Sequence, residues 1–357
     1  MSGPISVIIL ANPVAALLSA AAIRAAAAVY EGYEQAAALQ QDHQRDQAAR
    51  GAAQNAANAQ GRHALADASE DAETAFERLV ELADGLGIAG QVRATRPARP
   101  DATDNHAVAA YIRALQTLAL ELRSILLTEA ARRMQDLPEE AFDIAMPAAT
   151  SASVPQAVSQ RLLGRIAHLE RLPEQIESVA RELEATLPGE RADLLATELR
   201  ARIQAHLEAL QRQQVQEATA GIIKQSLKDL GYQVEEVAST LFVEGGVLHF
   251  RRQGWGDYMV RMRIDAKAGA ANFNVIRAVA AGANERSVLD HLAEDRWCAE
   301  FPALLQALEI RGVRMQVTRR LDAGELPVQL VEASKLPKFA DEEQAARATK
   351  PLTREIK

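Results

Sequence analysis

Two carboxylates and a lysine in the last third of the chain are of the residue types that metal-assisted hydrolysis uses. Asp265-Ala266-Lys267 is a D-x-K element, and Asp257 precedes it by eight residues. Such groups can hold a divalent metal ion and activate a water molecule for attack. The pattern raises the hypothesis of a metal-dependent hydrolytic site.

The same stretch resembles the opening of restriction-endonuclease-like domains, in which a helix precedes a sheet that bears acidic residues and a lysine. Here the passage from Leu227 to Tyr232 leads from a helical pattern into strands. The resemblance implies a metal-dependent nuclease that would use Asp257, Asp265 and Lys267. However, the two acids are close in sequence with a turn on one side, whereas that fold places them on different strands. The competing interpretation is that Asp265 and Lys267 are turn residues.

A second candidate set lies on one predicted helix. His291, Glu294 and Cys298 follow one another at spacings of three and four residues, which places nitrogen, oxygen and sulfur ligands on one helix face. No second cluster in the sequence completes the coordination, and the apolar residues around Trp297 indicate a packing helix. We therefore expect no metal or other cofactor here, with Cys298 acting as a small buried hydrophobe.

Gly85, Gly87 and Gly90 match the G-x-G-x-x-G fingerprint of dinucleotide binding. That fingerprint works where a strand delivers the glycines to the N-terminus of a helix, whose amides meet the pyrophosphate. Here the glycines follow a helical pattern and lead into a linker that contains Pro97 and Pro100. They predict the end of a helix and no nucleotide site.

Other catalytic signatures are missing from the sequence, which has no P-loop, no G-x-S-x-G nucleophile elbow and no H-E-x-x-H zinc pair. The net charge of -8 argues against charge-driven binding to nucleic acid. The single cysteine excludes an internal disulfide and a cysteine-rich zinc site. We therefore predict a protein that is not an enzyme and that works in a reducing, cytoplasmic setting.

Arginines form the most suggestive pattern. In the predicted strand that begins at Tyr258, alternation sends apolar side chains to one side and arginines to the other. Applied to the neighbouring strands, the same rule predicts one face that carries Arg251, Arg261, Arg263 and Arg314. This face is either an ordinary solvated surface or a binding surface for an acidic partner. The aromatic residues point to the other side, so base stacking as in RNA-binding sheets is not expected.

These arginines must be positioned by a small mixed domain that occupies residues 231–333 and begins at Gly231, the cap of the last helix. Alternating segments predict strands over 232–237, 241–243, 247–252, 258–264, 273–277, 313–318 and 328–331. The expected fold is an antiparallel meander covered on one face by a helix over 284–311. Residues 334–357 lack periodicity and predict a disordered tail.

The residues before Gly231 have long helical patterns separated by linkers that contain proline. The helical patterns cover 1–90, 105–137 and 157–230, and the linkers are 91–104 and 138–156. Asp104 or Asn105 could cap the helix after the first linker. Pro173 should kink its helix or start a new one, and the turn at 188–189 should join two arms as an antiparallel hairpin.

Apolar residues in these helices recur at alternating spacings of three and four, which is typical of the heptad seams of coiled coils. The first seam consists of Leu65, Ala68, Ala72, Ala75, Leu79, Leu82 and Leu86. Such seams hold helices together within one chain or between chains. We therefore expect self-association through the helices.

The segment from Ile5 to Ile23 contains no charged residue and meets the length criterion for a membrane span. It lacks a preceding basic region, so a cleaved signal peptide is not expected. Asn12-Pro13 interrupts the segment, and its second half is mostly alanine, which inserts weakly. Two interpretations remain, a membrane anchor and a buried or oligomer-forming helix.

Together these patterns predict a mainly α protein with a C-terminal α+β domain, in which long coiled-coil-like helices precede a small antiparallel sheet covered by a helix. The aromatic content of 4% fits long helices better than a compact enzyme. The expected function is a non-enzymatic scaffold or adaptor whose α+β domain binds a protein partner within a multi-protein assembly. The alternatives are a membrane-anchored stalk and the metal-dependent nuclease.

Overall fold

The computed structural model describes the backbone of residues 5–46, 53–101, 103–135, 154–169, 171–234, 246–265, 268–337 and 339. It confirms the mainly α fold with a C-terminal α+β region. The chain forms two compact units, which we call the sheet unit (Met1–Ala20 and Val215–Lys357) and the helical unit (Ala21–Gln214).

The helices that build the helical unit form where alanine, leucine, glutamate and arginine dominate, because these residues lose little side-chain freedom in a helix. In chain order they are α1 Pro13–Asp46, α2 Ala53–Gly85, α3 Ala89–Ala94, α4 Asn105–Gln135, α5 Val154–Gly164, α6 Glu174–Ala185 and α7 Glu190–Asp229. The ends of α1 and α7 extend into the sheet unit. Pro173 starts a new helix, since it is the N-cap of α6.

Two predicted seams have different outcomes in the helical unit. The seam of α4 is buried at Tyr111, Leu115, Leu118, Leu122 and Ile125. In α2 the buried face is rotated from the predicted one, because Phe76, Val80 and Ala83 point into the core while Ala75 is exposed. Phe76 has the most apolar area to bury on this helix, so it decides the rotation. Part of the predicted α2 seam is therefore left facing solvent.

Asp104 fixes the start of α4. Its Oδ1 accepts hydrogen bonds from the backbone amides of His106 and Ala107, each at 3.0 Å. Replacing Asp104 with alanine should lower the free energy of unfolding of the helical unit by about 1 kcal/mol, because two amides lose their acceptor. Urea unfolding followed by far-UV circular dichroism measures this loss. Asp101→Ala is the matched control, since the Asp101 carboxylate bonds only within the preceding turn; equal losses for the two variants would contradict the assignment.

The sheet unit contains seven strands and one long helix among its described residues. They are β1 Ile5–Ala11, β2 Tyr232–Val234, β3 Val247–Arg252, β4 Tyr258–Asp265, β5 Ala270–Val279, α8 Leu289–Ile310, β6 Val313–Arg319 and β7 Gln329–Glu332. The sheet order is β2-β3-β4-β5-β1-β6, and β7 pairs in parallel with β5. The predicted strand over 241–243 lies outside the described residues.

The N-terminal segment is a strand where the sequence predicted a helix. β1 lies between β5 and β6 and is antiparallel to both, so that Val7 pairs with Ala271 on one side and with Val317 on the other. The helix predicted over Ile5 to Ile23 begins only at Pro13. The physical reason is non-local, because two free strand edges offer this apolar segment a complete backbone ladder.

One helix of the described residues, Pro13–Glu31 within α1, is long and apolar enough to cross a membrane by length and composition. This is weak evidence, since core helices pass the same test, and Ala16, Leu17 and Leu18 are buried in the sheet unit. Membrane association therefore stays a prediction.

Helix α8 covers one face of the sheet and brings aromatic rings together there. The ring of Trp297 lies 5.3 Å from Phe250, 5.7 Å from Phe273 and 5.4 Å from Phe301, measured between centroids. The ring of Tyr232 lies 6.3 Å away. All of these aromatic side chains are buried, so this covered face is the hydrophobic core of the sheet unit.

The first described residues of the segment predicted as a tail from residue 334 pack against the sheet. A 3₁₀ turn spans Ala333–Lys335, and Phe339 is buried against Met259 and Ile276. The local sequence has no period there, but burying one phenylalanine on the sheet stabilises the segment. Residues 340–357 lie outside the described residues.

Candidate functional site

We call the face of the sheet opposite α8 the outer face. Strand register defines it, because paired residues on neighbouring strands point to the same side. Arg261 pairs with His249 on β3 and with Asn274 on β5, and Arg263 pairs with Asn272. The outer face therefore carries Arg261 and Arg263, two of the four arginines that the sequence predicted for one face.

Arg261 is buried, which corrects its expected place on a solvated face. Only 8% of this residue is exposed, and its guanidinium donates a hydrogen bond to the side-chain oxygen of Gln329 on β7. Burial lowers the pKa of Arg261, and the neighbouring charge of Arg263 lowers it further. Arg261 therefore connects β4 to β7 through Gln329, and its side chain is not accessible to a partner.

Arg251 also contacts the C-terminal segment. Its guanidinium lies 4.5 Å from the ring centroid of Phe339, a cation–π contact, and its Nε donates to Gln233 Oε1 at 3.1 Å. Arg251 on β3 and Arg261 on β4 are thus contacted by residues from the C-terminal part of the chain, Phe339 and Gln329 respectively.

Arg263 and Arg314 are exposed, but they lie on different parts of the outer face. Three inter-strand spacings separate β4 from β6, which amounts to about 14 Å. Arg314 also forms an ion pair with Glu309 at 2.7 Å. The structure therefore places Arg251, Arg261 and Arg263 on the adjacent strands β3 and β4 and leaves Arg314 apart on β6.

The sequence analysis missed two residues between these arginines. Ile8 and Leu10 of β1 are 37% and 49% exposed, and their register partners on β6 are Gln316 and Arg314. They were missed because β1 was assigned to a helix. The signal was present in the run Ser6-Val7-Ile8-Ile9, whose β-branched residues favour a strand. The outer face thus combines exposed apolar and cationic side chains.

The predicted hydrolytic residues do not form a site. Asp257 precedes β4 and Asp265 ends it, so the two carboxylates lie more than about 20 Å apart along the extended strand. Asp265 Oδ1 accepts a hydrogen bond from the amide of Ala268 at 3.0 Å, which makes Asp265 a turn residue. Lys267 lies outside the described residues. One metal ion cannot bridge this pair of carboxylates.

The second candidate set is also structural. Glu294 Oε2 accepts a hydrogen bond from the amide of Gly324 at 2.7 Å, and His291 forms an ion pair with Asp295 at 3.3 Å. Burial raises the pKa of the Cys298 thiol, which keeps it protonated. Within the described residues, no group of three or more His, Cys, Asp or Glu side chains could hold a metal ion.

The glycine fingerprint lies at the end of a helix, as its context predicts. α2 ends at Gly85, and Gly87 has a φ of 69°, a conformation that glycine adopts easily. The amide of Gly87 donates to the carbonyl of Asp84 at 2.9 Å. No strand precedes these glycines among the described residues of the helical unit. The strand that leads into a dinucleotide-binding glycine loop is therefore missing there.

The helical unit has a long apolar groove, which we call the α2–α4 groove. Its volume is about 660 Å³, and it is lined by Ala72, Ala75, Arg78, Leu79, Leu82, Leu115, Gln116, Ala119, Leu120, Arg123 and Leu127. Leu120 is 73% exposed, which is unusual for leucine at the edge of a folded core. The groove uses the part of the predicted α2 seam that does not point into the core.

A smaller cleft of about 450 Å³, lined by both polar and apolar side chains, lies where α2 meets the start of α4. Glu73 is the centre of its wall, since it pairs with Arg96 at 3.3 Å and accepts a hydrogen bond from the Tyr111 hydroxyl at 3.2 Å. The hydrogen bond from Arg96 to Tyr111 also raises the pKa of Arg96, against the opposing effect of burial. These charges neutralise each other, so the cleft is a structural junction.

The protein thus consists of the helical unit and the sheet unit, which has an α+β fold. Each unit exposes apolar side chains on a surface that also carries arginines. Comparison with protein-family models, curated proteins and solved structures finds no match to this chain. The chemistry of the surfaces is therefore the basis for assigning a function.

Proposed function

We propose that this protein is a non-enzymatic adaptor whose α+β unit binds an acidic protein partner through the outer face. The observation that carries this proposal is the exposure of Ile8 and Leu10 on β1, between Arg263 on β4 and Arg314 on β6. Protein interfaces combine apolar contact area with arginine, which is enriched in them relative to the rest of the surface. An acidic segment with apolar side chains would match both components.

A protein partner fits these residues better than a nucleic acid. The chain carries a net charge of -8, which repels polyanions at long range. The aromatic rings of the sheet are buried under α8 and cannot stack on bases. A short acidic segment needs only a local match in charge, which two exposed arginines supply.

The alternatives from other classes have less support. The separation of Asp257 from Asp265 removes the geometric basis of the nuclease. A membrane anchor over Ile5 to Ile23 would require β1 to leave both of its backbone ladders, which costs many hydrogen bonds. The anchor therefore has only the composition of the first half of α1 in its favour.

Partner capture with surface variants tests the proposal. Full-length protein immobilised on resin is incubated with lysate of the source cells, and bound proteins are quantified by mass spectrometry. We expect Leu10→Glu and the double variant Arg263→Glu/Arg314→Glu each to reduce recovery of the same partners about tenfold or more, because interface contacts of this kind contribute 1–2 kcal/mol each. Raised salt should weaken binding by the wild type.

Matched controls are available on α8, which lies on the other side of the sheet. Leu292 is 50% exposed, close to the value for Leu10, and Arg296 is exposed like Arg263. Leu292→Glu and Arg296→Glu should leave recovery unchanged. If the outer-face variants and the α8 variants recover the same proteins in equal amounts, the outer face is not the binding surface.

A further inference from the structure

We infer that the α2–α4 groove is the surface through which two copies of this chain associate, with α2 of each copy seated beside α4 of the other. This inference concerns the helical unit and does not depend on the partner of the outer face. Several apolar residues that line the groove are exposed to solvent. Ala75 and Leu120 are exposed and Leu82 is half-buried, although all three line the same groove.

Charge identifies the occupant of the groove. In a helix of 3.6 residues per turn, Asp67, Asp71 and Glu81 lie along the same solvent-facing edge of α2 as Arg78. All three acids are exposed. Arg123 of α4 is also exposed, and it lines the groove together with Arg78. The groove therefore contains two arginines, and the exposed edge of α2 beside it is mainly acidic.

A two-fold axis forms the same charge contact twice. In an isologous dimer the same patch is used by both copies, so the acidic edge of α2 meets Arg123 in the groove of the other copy at both ends of the interface. Among the described residues, neither Arg78 nor Arg123 has an ion-pair partner within its own chain. The apolar strips of the four helices then form the centre of a helical bundle.

The size of the patch is sufficient for a specific dimer. The stretch of α2 over residues 64–85 is about 33 Å long, at 1.5 Å per residue. Two helices side by side are about 18 Å wide, so the patch measures roughly 600 Å² on each copy. The total of about 1,200 Å² reaches the lower range of specific protein interfaces. We therefore expect a reversible dimer.

Sedimentation equilibrium of the full-length chain from about 1 to 100 μM tests the inference, a range that brackets micromolar affinities. The wild type should dimerise. Leu120→Asp should raise the dissociation constant about a hundredfold, because the substitution occurs twice in an isologous interface. Leu194→Asp is the matched control, since Leu194 is 67% exposed on α7 and does not line the groove. It should dimerise like the wild type, and far-UV circular dichroism should show that both variants are folded.

A charge-swap experiment identifies the second copy as the occupant. R123E alone and the triple variant D67R/D71R/E81R alone should each dimerise more weakly than the wild type, because each places like charges across the interface. An equimolar mixture should form the mixed dimer, seen by native mass spectrometry, because both contacts are then complementary. This pattern would not arise from general destabilisation.

Several outcomes would overturn the inference. A wild type that remains monomeric at the highest concentration excludes the second copy. Equal dimerisation of the Leu120 and Leu194 variants places the interface elsewhere. A monomeric wild type that binds a synthetic acidic amphipathic helix, with loss of binding in the Leu120 variant, assigns the groove to a different partner. None of these results affects the capture experiment on the outer face.

Discussion

Replacing Val7 with aspartate is expected to unfold the sheet unit. Val7 is 1% exposed and is paired on both sides, with Ala271 and Val317. A carboxylate at this position has no partner on the covered face, and burying it costs about 4 kcal/mol or more. A domain of this size has a total stability of roughly 5–15 kcal/mol, so this loss is a large fraction of it.

Tryptophan fluorescence measures this loss specifically, because the two tryptophans of the chain, Trp255 and Trp297, both lie in the sheet unit. We expect a red-shifted emission or a strongly reduced urea midpoint. Ile8→Asp is the matched control, since its side chain points to the outer face and is 37% exposed. It should change the midpoint little. If the two variants unfold alike, β1 does not lie between β5 and β6 with Val7 on the covered face.

Truncating Trp297 to alanine should have the second-largest effect. Its ring is 1% exposed and contacts the rings of Tyr232, Phe250, Phe273 and Phe301. Loss of a buried tryptophan leaves a cavity between the sheet and α8, and typically costs about 3–5 kcal/mol. The sheet unit should therefore unfold at a much lower urea concentration.

The remaining Trp255 reports this transition, because it is 7% exposed in the folded sheet unit. Leu292→Ala serves as the control on the same helix, since half of the Leu292 side chain already faces solvent. Its loss should stay below about 1 kcal/mol. A loss as small as this for Trp297→Ala would mean that α8 does not carry the core of the sheet unit.

The meander was predictable because its signals are local. Strand alternation in β3, β4 and β6 matches the observed elements to within a residue or two, whereas the helix that covers them ends within one residue of its predicted end but begins five residues later than predicted. Alternation also placed Arg261 and Arg263 on the same face of β4, since register follows from neighbouring strands joined by short turns. These features depend on residues close together in the chain.

The surfaces were less predictable, because they depend on what covers each face. Arg261 has the same sequence pattern as Arg263, yet Gln329 of β7 buries one and leaves the other in water. Similarly, Ala75 and Leu79 share one heptad seam, but only Leu79 is buried. Periodicity predicts which residues share a face of a helix or strand. It does not predict which part of that face is buried by another element of the structure.

The sequence by itself determined the division into long helices and a C-terminal sheet, the glycines Gly87 and Gly231 that follow the ends of α2 and α7, and the side of each strand on which a residue lies. These follow from backbone preferences and from periods of 3.6 and 2.0, which act over a few residues. Only the tertiary structure decided that Ile5–Ala11 joins the sheet between β5 and β6 and that Phe339 covers Arg251. Both contacts join segments far apart in the chain, and their free energy comes from pairing and burial that no local pattern records.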